Sequence, residues 1–379
     1  MGFAMSLRTG CTGTELAVAI TAMTLAVFLV TQSLNSGRFA RRNGCRPVWR
    51  SLTKDPFLGL DALPTTIRLL RQHKILNRSC ELHATYGTTF TVRELTKSAI
   101  VTIEPENIKS ILTLNFKDYG LGHRLEAFRP LLGQGIFDTD GEQWAHSRAL
   151  IRPSFTRDQI ADLTTLEKLF QDLLLLLPSD RNSVVDLLDP FFRYTLDSAS
   201  DFLFGETTGT LRQTSSTSGF AEAFKYAQKA VVVRATLGPL KVLYRDRKAD
   251  ACNRVCRDLA QTHVDKAYQS LGDVELSHAK DSVLRGQRKH VFSRELAART
   301  YDRERVLDEL MNVLLAGRDT TASLLCNLFF MLAKDPEIWS KLRAEVAVLK
   351  GRIPTYDELH QLKYVQCCIS ECEEQVQDP

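Results

Sequence analysis

From Arg157 onward apolar residues recur at helical spacing with almost no alternating, β-branched stretch, and this periodicity is the strongest limit on what the chain can fold into. It predicts helices over Ile160–Leu177, Val185–Phe204, Phe220–Val233, Ala249–Tyr268, Arg303–Ala333, Pro336–Leu349 and Tyr364–Glu374. Glu206–Gly219 (ETTGTLRQTSSTSG) and Leu271–Arg294 read as exposed polar connections between them. Strands are expected only earlier, in Tyr86–Val92 and Ala99–Ile103, short runs rich in β-branched and aromatic residues that suit a hairpin. A helix then starts at Glu104-Pro105-Glu106, with proline and acids in its first turn. The expected class is mainly α with a small β-sheet, and no internal repeat is visible.

Leu16–Leu34 carries no charge and is dominated by Leu, Ala, Val, Ile, Met and Phe. At helical rise it reaches about 28 Å, close to the hydrocarbon thickness of a bilayer. The leader before it has only Arg8 against Glu15, whereas Arg38, Arg41, Arg42, Arg46 and Arg50 crowd the residues behind it. That order fits one uncleaved N-terminal transmembrane helix better than a signal peptide, with the N-terminus lumenal and everything after Arg38 cytosolic. Asp55–Leu63, punctuated by Pro and Gly, reads as a linker to a globular body. The layout expected is residues 1–37 lumenal segment and anchor, 38–63 basic linker, 64–379 the folded domain.

The net charge of +4 is small for 379 residues, and no basic module stands out, so nucleic acid is not an expected partner. Nine cysteines are scattered through the chain, which suits a reducing compartment. Cys252 and Cys256 lie one turn apart and Cys367, Cys368 and Cys372 cluster, but none of them has a zinc-like partner spacing.

Two segments carry chemistry. In Leu310–Leu325 a long apolar helix is interrupted by Gly317, Asp319, Thr320 and Thr321. Gly317 lowers helix propensity, and a threonine hydroxyl can bond the carbonyl one turn back, so the helix is expected to bend and open a small polar notch there. The plainer reading is a core helix with a satisfied threonine. Upstream, Gly135–Arg148 (GIFDTDGEQWAHSR) is followed by Arg152-Pro-Ser-Phe155. Trp144 and Arg148, four apart, would share one helix face and offer an indole N–H and a guanidinium to one anionic group. The plainer reading is a packed Trp beside a solvated Arg. His146 faces elsewhere and is given no role.

Ala316-Gly317-Arg318-Asp319-Thr320-Thr321 resembles the oxygen-binding helix of the cytochrome P-450 family, and the Gly135–Arg148 segment is a second signature of it in the right order and at the right distance. Thr195–Gly205, Lys334–Trp339, Pro354–Leu359 and Leu362-Lys363-Tyr364 agree, so the resemblance covers about Arg42 to Glu371. It implies the cytochrome P-450 fold behind a membrane anchor, in the endoplasmic reticulum membrane, with a haem iron cofactor, NADPH acting through cytochrome P-450 reductase, and a lipophilic small-molecule substrate. It also implies that Ala316 and Gly317 form the notch over the haem, that Thr320 bonds the iron-bound oxygen, that Asp319 brings protons, and that Trp144 and Arg148 hold a haem propionate. Phe116–Gly122 and Phe128–Phe137 look most like the fungal enzymes that hydroxylate alkanes and fatty acids.

The pattern departs from the family near Glu371. Ile369-Ser370-Glu371 begins a Glu-x-x-Arg signature, but Glu374 stands where Arg belongs, reversing both charge and hydrogen-bonding role. None of the nine cysteines lies in a Phe-x-x-Gly-x-Arg-x-Cys-x-Gly loop, so no axial iron ligand is assigned. The expectation is therefore an incomplete monooxygenase that is inactive as this chain. Its rival is a non-catalytic, membrane-tethered protein that keeps the distal half of the fold and binds a partner or lipid.

Overall fold

The computed structural model describes residues 13–45, 48–51, 55, 62–94, 97–122, 124–156, 163–180, 183–212, 219–277 and 291–377. The chain divides into two compact units, Met1–Ala62 with Glu81–Glu104 and Leu63–Cys80 with Pro105–Pro379.

In the first unit Gly13–Arg42 forms one helix, α1. Its threonines are absorbed by the helix itself: Thr24 Oγ1 donates to the Ile20 carbonyl at 3.0 Å and Thr31 Oγ1 to that of Val27 at 2.9 Å. The transmembrane helix expected over Leu16–Leu34 is corrected in part. The segment is helical, but among the described residues no helix is long and apolar enough to cross a membrane. Thr21, Thr24, Thr31, Gln32 and Ser33 break the apolar run, and α1 continues into Arg38, Arg41 and Arg42. The hairpin expectation holds. Strands β2 (Thr89–Glu94) and β3 (Lys97–Thr102) pair antiparallel with Phe90 opposite Val101, and a two-residue strand β1 (Trp49–Arg50) adds in parallel to β2. Phe90 is buried under His83 and Tyr86.

The second unit is helical. Helix α2 (Ala62–Arg71) and the start of α3 (Ile75–Tyr86), whose residues from Glu81 on belong to the first unit, were not foreseen and precede α4 (Pro105–Lys109), the short helix expected at Pro105. Then come α5 (Arg124–Leu132), α6 (Gly141–Ile151), α7 (Thr164–Leu174), α8 (Leu188–Phe204), α9 (Gly219–Leu237) and α10 (Arg247–Ser277). They are followed by α11 (Phe292–Ala297), α12 (Arg303–Lys334), α13 (Pro336–Val346), α14 (Tyr356–Gln361) and α15 (Lys363–Gln377). The connection expected over Leu271–Arg294 is partly helical, taken up at one end by α10 and at the other by α11. Residues 278–290 lie outside the described residues.

The core is built where apolar faces converge on α12. Leu131 and Leu132 of α5, Leu196 and Leu203 of α8, Phe224 and Ala227 of α9, Cys256 and Ala260 of α10, and Phe292 and Leu296 of α11 surround Val306, Leu310, Met311 and Leu314. Small residues on α9 and α10 let those two helices approach closely, and α8 lies most extensively along α12. Each residue fully buried here contributes roughly 1.5–3 kcal/mol of transfer free energy, so the first half of α12 is the hub of the unit.

Candidate functional site

Helix α12 begins at Asp302, whose side chain accepts from the Arg305 N–H at 3.0 Å, and it runs unbroken to Lys334. No break opens at Gly317. The glycine lies against α8, where an added Cβ would stand 3.5 Å from Ala199 Cβ, ordinary van der Waals contact. The threonine back-bond does form: Thr320 Oγ1 donates to the Ala316 carbonyl at 2.6 Å, on a turn where Thr320 and Thr321 are exposed.

Asp319 points differently from Thr320. Its Oδ1 takes Arg318 Nη1 at 2.9 Å and its Oδ2 takes the amide of Gln228 on α9. The same Arg318 nitrogen reaches Gln228 Oε1 at 3.2 Å. Arg318 is buried, with Phe192 and Phe224 against its guanidinium at 4.8 and 5.5 Å, and burial pulls its pKa down against the pull of Asp319. The structure thus joins Thr320 with Ala316, and Asp319 with Arg318 and Gln228. No hydrogen bond links Asp319 to Thr320. Sequence reasoning passed over Arg318 and Gln228; a charged residue inside an apolar helix was the signal for the first.

The second landmark sits on α6. Arg148 lies over the Trp144 ring at 5.7 Å, and Phe116 packs on the other ring contact at 5.0 Å. Trp144 is half-buried and Arg148 exposed; neither the indole N–H nor the guanidinium has a hydrogen-bond acceptor among the described residues. His146 is exposed.

What ties α6 to α12 is a buried polar clasp that sequence reasoning missed. The loop after α5 turns its backbone N–H groups onto α12: Gln134 donates to Asp308 Oδ2 at 2.7 Å, Ile136 to Glu309 Oε2 at 3.0 Å, and Phe137 to Asn312 Oδ1 at 2.9 Å. Asn312 Nδ2 returns a bond to the Leu132 carbonyl at 3.0 Å. Arg257 of α10 pairs with Asp308 at 2.8 Å, and Arg305 Nη1 bridges the Gln134 carbonyl and Ser147 Oγ of α6, both at 3.0 Å. Glycine is required for the approach. At Gly133, φ is +70° and a Cβ would fall 1.9 Å from Asp308 Oδ1; at Gly135 it would fall 2.3 Å from Asn312 Nδ2. Burial raises the pKa of both Asp308 and Glu309 despite these donors. Beside them Asp138, 4% exposed, has no hydrogen-bond partner on either oxygen, and burial lifts its pKa to about 7 against the pull of Arg124 and with the push of Asp308. The sequence signal was present in Asp308, Glu309 and Asn312, polar side chains one turn apart inside a buried helix.

A family model for cytochrome P450 matches residues 61–372. This chain belongs to the cytochrome P450 family. It is 42% identical over 371 residues to cytochrome P450 monooxygenase himC of Aspergillus japonicus, covering 93% of this chain and 65% of that protein. It is 41% identical to cytochrome P450 monooxygenase fsdH of Fusarium heterosporum, covering 88% of this chain and 60% of that one. To cytochrome P450 52A12 of Debaryomyces hansenii the identity is 34%, over 87% of this chain and 66% of the relative. The chain therefore spans less than two thirds of the length of each of these relatives.

The P450 family uses a haem iron cofactor and reductase-supplied electrons. The residues of this P450 chain meet that group in part. Trp144 and Arg148 leave two donors open on one face, which suits a carboxylate. Burial raises the thiols of Cys326, Cys368 and Cys372 and pushes Cys256 up to about 12, and none of the nine cysteines is assigned as an iron ligand.

Proposed function

We propose that this chain serves a haem-dependent monooxygenase reaction on a lipophilic substrate, an alkane or a fatty acid. It is attached to the endoplasmic reticulum membrane through α1 and faces the cytosol, where NADPH supplies electrons through cytochrome P-450 reductase. The layout keeps residues 1–37 as the membrane segment, 38–63 as the basic linker and 64–379 as the catalytic domain. The observation that carries this reading is the Ala316–Thr321 turn, which sets a carboxylate and a hydroxyl on adjacent residues of α12. Inserting one oxygen atom of dioxygen into a C–H bond releases the other as water and consumes two electrons and two protons, so the site needs a proton path. A bound haem supplies the activation of dioxygen. Thr320 holds a proton at Oγ1 beside the Ala316–Gly317 turn. Asp319 moves protons toward it by leaving Arg318 and Gln228. Trp144 Nε1 and Arg148 bind and orient an anionic edge of the cofactor. The substrate class rests on the resemblance of Phe116–Gly122 and Phe128–Phe137 to fungal hydroxylases of alkanes and fatty acids, and such apolar walls discriminate weakly between hydrocarbons.

The test uses the full chain in microsomes with added haem and a fungal reductase, supplied with dodecane or laurate. Iron content, the carbon monoxide spectrum and hydroxylated product are read together. Product that depends on NADPH supports the proposal. Absent iron and absent product in the same sample overturn catalysis in favour of a membrane-tethered binding role. Carbonate extraction of the same microsomes tests α1: release of the chain into the supernatant overturns the membrane attachment.

A further inference from the structure

A cavity of about 410 Å³ lies between α5, α9 and the start of α10, and no residue of the Ala316–Thr321 turn lines it. Pro130, Ala227, Ala230, Val231 and Ala249 give it an apolar floor, and Arg234, Arg245 and Arg247 stand at its wall. Among the described residues none of these three guanidiniums makes a hydrogen bond or an ion pair. Arg234 Nε is buried and without a partner, as is Oδ1 of Asn253, another lining residue. An unpaired buried guanidinium nitrogen is costly unless a ligand or water completes it.

The acids at the same wall cancel this charge only in part. Asp246 is spent on the fold: it accepts from Tyr244 Oη at 2.8 Å, Tyr226 Oη at 3.1 Å and the Ala249 N–H at 3.0 Å. Those bonds hold its carboxyl below the ordinary range. Asp250 is exposed, and with the ionised Asp246 it sets two carboxylates against three guanidiniums, which leaves one positive charge in excess. Lys248, beside them, is turned over the Tyr226 ring at 4.4 Å. What remains is cationic donors on one side and alkyl surface on the other. The Asn253 amide can present its NH2 to an anion by rotating about its last bond.

We propose that this cavity binds the carboxylate or phosphate head of an anionic amphiphile, with the half-buried Arg234 as the anchor, Arg245 and Arg247 closing over the head, and the Ala227–Ala230–Val231 surface receiving the first methylenes. Guanidinium forks suit both oxyanions in two-point contact.

The experiment is calorimetric titration of the full chain with laurate, lysophosphatidate, n-dodecanol, inorganic phosphate and acetate. The same series is run on Arg234→Gln and Arg245→Gln, with folding verified by circular dichroism. Neither side chain has a partner to orphan, so both variants keep the fold. Laurate or lysophosphatidate is expected to bind wild type and to weaken by about tenfold in each variant and in high salt. Dodecanol, which has the chain and not the charge, is expected to bind far more weakly. The inference is overturned if dodecanol matches laurate, if phosphate or acetate alone matches the amphiphiles, or if Arg234→Gln binds as wild type does. That last result places any bound laurate elsewhere, so it is distinct from a failure of the hydroxylase reading.

Discussion

The two halves of α12 are built by different physics. From Val306 to Leu314 nearly every side chain is buried, including Asp308, Glu309 and Asn312, and each of these three accepts a backbone N–H from some 174 residues away in sequence, although Glu309 Oε1 stays without a partner. From Phe329 onward the same helix shows Phe330 at 61% exposure, with Phe329 and Met331 also open and only Leu332 buried. The first half is fixed by hydrogen bonds to a loop that no other shape would satisfy, the second by apolar contact on one side only. Position is specified where donors and acceptors must match; apolar area by itself tolerates displacement.

The contrast breaks first at the clasp. Asp308→Ala strands Arg257 and the Gln134 N–H in a dry site, and urea unfolding of the full chain in mild detergent should show a loss of about 3–5 kcal/mol. Gly133→Ala should be at least as damaging. A loss of under 1 kcal/mol in both would mean that the clasp is incidental. Next comes Asp138. Its folded-state pKa is raised, so its contribution is fully present below the unfolded value near 4 and is lost as pH rises to about 7. Asp138→Asn should therefore flatten the decline of stability over that window and gain on the order of a few kcal/mol at neutral pH. An unchanged pH profile would show that the carboxyl is better solvated than its burial suggests. The smallest effect belongs to the other half: Phe330→Ser should shift unfolding by no more than about 0.5 kcal/mol while reducing aggregation seen by light scattering. A large loss there would remove the distinction between the halves.

Much of this fold was legible in sequence. The long helices announce themselves by spacing, the Arg303–Ala333 forecast misses the C-terminus of α12 by one residue, and the hairpin stands where β-branched residues cluster. What stayed hidden depends on distant partners. Strand β1 has two residues and exists only through its pairing with β2. Helix α11 is six residues long, too short for a period, and is held by burial of Phe292 and Leu296 in the core. At the site, the Thr320 back-bond was foreseen because it is local, whereas the engagement of Asp319 by Gln228 crosses 91 positions of sequence. The break expected at Gly317 did not open: α12 stays helical through it, and the glycine is only at ordinary contact distance from Ala199.

The Gly133–Phe137 turn and the 308–312 stretch of α12 also constrain how this chain can change over generations. At 133 the φ of +70° disfavours any side chain, at 135 a Cβ would also fall 2.9 Å from the Asp308 carbonyl oxygen, and a shorter residue at 308 leaves a backbone donor for the turn to cover. Neither segment can drift alone. Positions 133 and 135 should stay glycine, and a change at 308 or 312 should be tolerated only with a new acceptor for the turn's N–H groups.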